Sequence, residues 1–598
     1  MTTTPWHLHD EFSYAQPHRV AVDALALELD LDFEGKTLSG TATYTLSWKD
    51  PESRELILDT RDLTIKHISK LQGNSWIPVA FALGERDEVL GSALRIDLGG
   101  QPDQVRIEYA SSPEASGLQW MAAEATQGKR APMVFSQSQA IHGRSWIPLQ
   151  DTPLVRAKID ATIRTQEDTI VLMGTSNNPE AVPAKVHHFS MPHRIPSYLL
   201  ALAAGDLSFA RISDRCGIWA EREMASKAAI EFAQIETIMG HAEALCGAYP
   251  WGRYDILVLP PSFPFGGMEN PCLTFASPTV VVGDRSLVSL IAHELAHSWS
   301  GNLTTGATQR DLWINEGMTC YIENRLIEAL YGTTRANMEA AIAEQCLLRT
   351  YEEIGDEHQV LVQRPGVLVD PDDICVDTVY TKGAIMLRSF EHTLGRTRMD
   401  DFLRRHFARH AFESISSQTF ASDLVSDLGV DPDALDTWLL TASLPEGTRL
   451  TSSEVLDTID RARSAWLNEG LAPEASGWST HEWVHFIEGL PARLSVEQAT
   501  SLDAIGTLTD TPNGEIAQRW YPLAVRSEYT AAYPALEDFL VHVGRAKMIV
   551  PVYEALAQSD TGRLEALRIF ERARTGYHPI TAATIEKLVS ARPRPSLS

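Results

Sequence analysis

Hydrophobic periodicity changes along this chain, and that change limits the folds open to it. Between Leu25 and Phe33 the residues Leu25, Leu27, Leu29, Leu31 and Phe33 alternate with Ala26, Glu28, Asp30 and Asp32. After Glu34-Gly35-Lys36 the alternation resumes through Leu38, Gly40, Ala42, Tyr44, Leu46 and Trp48. A period of two broken by a glycine-containing turn predicts a β-hairpin with one buried face. Strand-like runs follow at Glu55–Leu58, Val105–Tyr109, Ala157–Ile163 and Ile170–Met173. Beyond about residue 205 the spacing becomes helical. Ser286–Trp299 carries Leu287, Leu290, Ile291, Leu295 and Trp299 at helical intervals, and Glu316–Leu330 is a second helical stretch, stopped by Tyr331-Gly332. The polar segment "LPEGTRLTSSE" (Leu444–Glu454) reads as a linker. Past it the chain is almost wholly helix-like, with Ser479 or Thr480 placed to cap a helix burying Trp483, Phe486, Ile487 and Leu490.

A chain of 598 residues exceeds one hydrophobic core. The expected fold is multidomain α+β: a β-rich domain over residues 1–205, a mixed α/β domain over 206–443, a linker at 444–455, and an all-α, solenoid-like domain over 456–598. The formal charge of −28 argues against nucleic acid, because binding phosphate needs clustered Lys and Arg. Six cysteines stand singly at Cys216, Cys246, Cys272, Cys320, Cys346 and Cys375 with no C-x-x-C pair, so neither a zinc ribbon nor a disulfide framework is expected. The N-terminal segment has no apolar stretch after a basic start, and no run of about 18 apolar residues offers a membrane span. A cytoplasmic monomer that binds neither membrane nor nucleic acid is the expectation.

Chemistry concentrates in "IAHELAHSWSGN" (Ile291–Asn302). His293 and His297 stand four apart, so on a helix they share one face and reach a single ion. Glu294 sits about 100° round the helix from His293, near a bound water without being a ligand. Catalytic zinc sites use three protein ligands and keep a fourth position open. The third ligand is supplied by Glu316, with eighteen residues between it and His297, in "WINEGMTCYIENRL". Asn315 and Glu323 are placed to hydrogen-bond the ligand imidazoles.

The pattern H-E-x-x-H-x(18)-E, preceded by Gly266-Gly267-Met268-Glu269-Asn270, resembles the gluzincin aminopeptidases of peptidase family M1. "FSQSQAIHGRSWIPLQDTP" (Phe135–Pro153), "IPSYLLALAAGDL" (Ile195–Leu207), "PPSFPFGGMENPCLTF" (Pro260–Phe275) and "GRAKMIVPVYEAL" (Gly544–Leu556) resemble its leukotriene A-4 hydrolase branch. The resemblance covers essentially the whole chain. It implies a saddle-like N-terminal β domain, a thermolysin-like zinc domain and a C-terminal helical domain.

The resemblance also implies one zinc ion per chain on His293, His297 and Glu316, with Glu294 as general base and then general acid. Tyr380 becomes the oxyanion donor. Glu269 pairs with the free α-amino group, helped by Gln137 and Gln139, while Gly266, Gly267 and Met268 let an extended peptide come close. Asp372 favours an N-terminal Arg or Lys, and Arg545 with Lys547 holds a substrate carboxylate, which limits substrates to short peptides such as tripeptides. The implied function is zinc-dependent removal of N-terminal residues. The alternative is a lipid-epoxide hydrolase using the same zinc. An inert metal-binding scaffold is least expected, since Glu294 and Tyr380 are both present. Two departures, Phe265 and Cys375 in place of tyrosines, bear on pocket shape and on the epoxide activity, not on the zinc chemistry.

Overall fold

The computed structural model describes residues 9–374 and 377–590. Strands Val20–Asp32 and Thr37–Trp48 pair antiparallel, with Leu31 opposite Leu38 and Asp32 opposite Thr37. Leu25, Leu27, Leu29, Leu31, Leu38, Ala42 and Tyr44 are all buried, while Ala26, Glu28 and Asp30 face solvent. The hairpin lies inside a ten-stranded sheet, flanked by Gln104–Ala110 on one side and by the parallel strand Arg156–Met173 on the other.

The two runs expected at Ala157–Ile163 and Ile170–Met173 are one continuous strand, Arg156–Met173. The exposed polar interval Gln166–Asp168 looked like a break, but strand pairing runs through backbone groups and tolerates it. The first part of this strand pairs with Val20–Asp32 and Ala184–Pro196, and its last residues pair with Leu202–Gly205.

A five-stranded sheet follows, in the order Ser208–Arg211, Cys216–Ala220, Tyr254–Val258, Leu273–Ala276, Gly267–Met268. Its three middle strands are parallel and every residue in them is buried, as near-continuous apolar runs covered on both faces require. Gly267–Met268 forms its edge, antiparallel to Phe275–Ala276.

Helices α1 (Val288–Ala296) and α2 (Leu312–Tyr331) both depart from the spans read in the sequence. α1 stops at Ala296, with His297 as its C-cap, and does not run on to Trp299. The turn that follows is closed by Gly301, whose φ of +114° is open to glycine, and a Cβ there would press to 2.9 Å from His297 Nδ1. α2 begins four residues before Glu316, because Thr308 and Asp311 form a capping box on the turn leading into it.

Past the segment after Leu440 the described chain is helical, beginning with Glu454–Glu469. Ser479 caps Thr480–Glu488 in a capping box with Glu482, and Thr480 lies inside the helix. Trp483, Phe486 and Ile487 join a core running from Ile459 to Val589, with Leu490 packed against it. The β-rich and mixed α/β regions share a core running from Phe12 to Leu439. Among the described residues no helix is long and apolar enough to cross a membrane.

Candidate metal centre and substrate cleft

α1 buries Ile291, Ala292, Leu295 and Ala296, which turns His293 and His297 together toward α2. Their Nε2 atoms face each other at 3.0 Å, and Glu316 Oε2 lies 3.4 Å from one and 3.3 Å from the other. The opposite ring nitrogens are spoken for. His293 Nδ1 meets Glu323 Oε2 at 3.0 Å and His297 Nδ1 meets the Ser300 carbonyl at 2.8 Å. An acceptor at each Nδ1 places the proton there and leaves a lone pair on each Nε2. Two lone pairs and a carboxylate oxygen that has no hydrogen-bond donor therefore converge in a buried space. Tetrahedral zinc with bonds of about 2.0–2.1 Å spaces its ligand atoms about 3.3–3.4 Å apart. The donor set fits that ion.

A second His-His-carboxylate cluster makes a useful contrast. His406 Nδ1 and His410 Nε2 both meet Asp423 Oδ2, at 3.1 and 2.8 Å, while Arg409 donates to Oδ1 at 2.6 Å. Every contact there pairs a donor with an acceptor. There Asp423 is matched by donors on both oxygens, whereas His293, His297 and Glu316 have no donor among their facing atoms.

Glu294 is buried, and its Oε2 has no partner. A Cβ on Gly267 would collide with its carboxylate, and one on Gly266 would lie 2.7 Å from Arg545 Nη2. The glycine pair thus threads the sheet edge between Glu294 and Arg545. Glu269, two residues on, is buried with Oε1 unpartnered. Oxygens of Glu269 and Glu294 and a nitrogen of His297 lie within 4.8 Å of one another. Burial pushes the Glu294 carboxyl up to about 8 and raises that of Glu269. Burial works against Glu316 too, but His297 and His293 hold it at about 2.

Gln137 donates through Nε2 to Met268 Sδ at 3.3 Å and keeps Oε1 buried and unpartnered. Gln139 is half-buried, one residue before Ala140, whose N–H donates to Asp372 Oδ1 at 3.3 Å. The other Asp372 oxygen meets His142 Nε2 at 2.8 Å. Burial raises the Asp372 carboxyl, but His142 outweighs it and holds the group below the usual range. Tyr380 lies in a π-helical turn, Thr378–Lys382, with its ring stacked on His293 at 6.0 Å between centroids.

Arg545 is buried at the N-cap of helix Ala546–Ala557, donating to Thr279 Oγ1 at 3.1 Å and to Glu515 Oε1 at 3.4 Å. Burial raises Glu515, yet Arg545, Lys547 and Arg519 hold it at about 2. Lys547 itself is exposed. Phe265 packs edge-on against Phe263. Cys375 lies outside the described residues.

Of the two residues expected behind the imidazoles, Glu323 is in contact and Asn315 is not. Asn315 instead accepts from Gly306 N–H and donates to the Tyr198 hydroxyl. The Ser300 carbonyl takes its place, and a main-chain carbonyl carries no residue signature to read. Glu515 and His142 were also missed: each depends on a partner more than 25 residues away.

Fold and donor set together define a class, a metal-dependent hydrolase with a His-His-Glu centre. Three family profiles match the chain: Peptidase M1 N-terminal domain over residues 14–199, Peptidase family M1 domain over 230–438, and Leukotriene A4 hydrolase, C-terminal, over 478–589. It is 33% identical to leukotriene A-4 hydrolase of Xenopus laevis over 604 residues, covering 97% of this chain and 98% of that protein. It is also 33% identical to leucine aminopeptidase 2 of Yarrowia lipolytica, covering 94% and 90%. The chain belongs to peptidase family M1, a family of zinc metallopeptidases, and carries a C-terminal domain of the leukotriene A4 hydrolase type. Among solved structures it superposes on yeast LTA4 hydrolase in complex with bestatin with a TM-score of 0.90 at 28% identity, covering 99% of this chain and 98% of that one. A likeness to an M1 zinc metallopeptidase from Deinococcus radiodurans, TM-score 0.59 at 18% identity, covers 75% of this chain and 99% of that one and bears on fold alone.

Proposed function

We propose that this chain is a zinc-dependent aminopeptidase that removes the N-terminal residue from short peptides. The observation that carries the reading is the closeness of Glu269, Glu294 and His297, within 4.8 Å. A carboxylate that captures a free amine so near the metal ligands leaves room for only the first peptide bond at the centre. One zinc ion per chain, on His293, His297 and Glu316, would supply an acidified water and polarise the carbonyl. Glu294 takes the proton from the attacking water and returns it to the departing amine. Tyr380 donates to the developing oxyanion. Glu269, with Gln137 and Gln139, receives the substrate ammonium, and the Gly266–Met268 edge lets an extended peptide lie alongside.

Arg545 holds the peptide's terminal carboxylate, with Lys547 adding charge at the rim. Tripeptides span the two ends. Asp372 favours an N-terminal Arg or Lys. The protein acts as a cytoplasmic monomer. A second reading, lipid-epoxide hydrolysis, is favoured by the same buried Arg545, which would hold a fatty-acid carboxylate; it fails if no diol forms above background from an unsaturated fatty-acid epoxide.

The main test is Glu294→Gln. Cleavage of aminoacyl-arylamides should fall about 10²–10⁴-fold with zinc content unchanged. Full activity in that variant would end the proposal.

A further inference from the structure

Asn302 follows the turn that ends the histidine segment and is 1% exposed. Its backbone N–H donates to the His297 carbonyl at 3.0 Å. Its side-chain Nδ2 donates to the Glu269 carbonyl at 2.6 Å. A single residue thus joins the main chain of a metal ligand to the main chain of the residue assigned to the substrate amine. The loop is in turn gripped by the β-rich domain. Arg156 donates to the Asn302 carbonyl and to Thr305 Oγ1, both at 2.6 Å, and the Tyr198 hydroxyl donates to the Gly301 carbonyl at 2.9 Å. Asn302 Oδ1 is buried and has no partner. Leaving a buried acceptor unmade is costly, and an apolar side chain of the same size would avoid the cost. The amide is therefore explained by what Nδ2 holds.

We propose that Asn302 is a positioning residue that sets the separation between the metal centre and the Glu269 carboxylate, and so confines cleavage to the first peptide bond. The inference rests on the aminopeptidase reading above. Two-point binding is productive only when both points match the substrate, and a shift of about 1 Å costs about 10²-fold. Glu269 directly follows the edge strand Gly267–Met268 and His297 caps α1, elements joined in sequence only through a long excursion, so a tie between their backbones has a clear task.

The test compares two inhibitors, an amino-acid hydroxamate and the same hydroxamate without its amino group, on the zinc-loaded full-length protein. Wild type should bind the amino compound more tightly, and the ratio of inhibition constants measures the amine contact. In Asn302→Leu that ratio should shrink about tenfold or more. The constant for the des-amino compound and the zinc content should stay as in wild type. An unchanged ratio overturns the proposal, and so does a parallel weakening of both compounds, which would mark the loop as a general support. If Asn302→Leu does not fold, Tyr198→Phe decides, because it loosens the same loop from outside and should reduce the same ratio. A wild type that shows no gain from the amine would sink the aminopeptidase reading itself, and the inference with it.

Discussion

Gly267 lies directly against Glu294: a Cβ built on the glycine would collide with the glutamate carboxylate. The sheet edge and the helix carrying the proposed base are packed so closely that glycine is the residue the gap admits. Gly267→Ala should therefore push Glu294 aside without touching His293, His297 or Glu316, the proposed zinc ligands. Misplacing a catalytic group by about 1 Å costs about 10²-fold, so kcat/KM should fall by that order while zinc stoichiometry holds. Steady-state kinetics with parallel metal analysis checks it; wild-type rates in a folded variant would contradict the proposed role of Glu294.

Glu323 accepts from His293 Nδ1 at 3.0 Å and so leaves Nε2 as the nitrogen that faces His297 and Glu316, the proposed zinc position. Removing such a partner weakens metal binding by about 10–100-fold. Glu323→Ala should lose zinc at correspondingly lower chelator concentration, with Glu323→Gln intermediate because it keeps an acceptor. Competition with a metal indicator gives the numbers, and equal affinities in all three proteins would dismiss the second-layer role.

Arg545 is buried between Thr279 and Glu515, so its charge is partly matched before any substrate arrives. Truncating one member of a desolvated charged contact costs about 2 kcal/mol or more. Arg545→Ala should cut kcat/KM for tripeptides with a free carboxylate about 30-fold. The same tripeptides with an amidated C-terminus should be cleaved at nearly wild-type rates. A uniform loss on both substrate sets would count against carboxylate recognition.

Lys382 is wholly buried, and its Nζ donates to the carbonyls of Gln359 and Thr441 at 2.9 and 2.7 Å, two bonds that a neutral amine still makes. Burial pushes this amine down to about 8. In the unfolded chain it titrates near 10.4, so between about pH 8 and pH 10 the unfolded state holds the extra proton and stability rises with pH. The melting temperature of wild type minus that of Lys382→Met should accordingly grow across that window. A gap that narrows as pH rises would show that the amine stays charged in the fold.

Much of the architecture was legible from local spacing. The period-two run around Leu25–Trp48 specified a hairpin because alternation is a direct product of strand geometry. The i, i+4 histidines and the apolar residues between them placed both imidazoles on one helix face for the same reason. Glu316 was singled out by its separation from His297 and lies against both imidazoles, but the start of its helix was not legible, because the Thr308–Asp311 capping box sets it upstream.

Local order in the chain therefore determined which elements form and which side chains share a face, since both follow from bond geometry within a few residues. Tertiary packing alone decided that Ser300 and not Asn315 backs His297, that α1 ends at His297, that Glu515 shares Arg545, that His142 holds Asp372, and that Asn302 ties Glu269 to His297. Those choices join groups far apart along the backbone, or use main-chain atoms common to every residue, so no periodicity or composition records them.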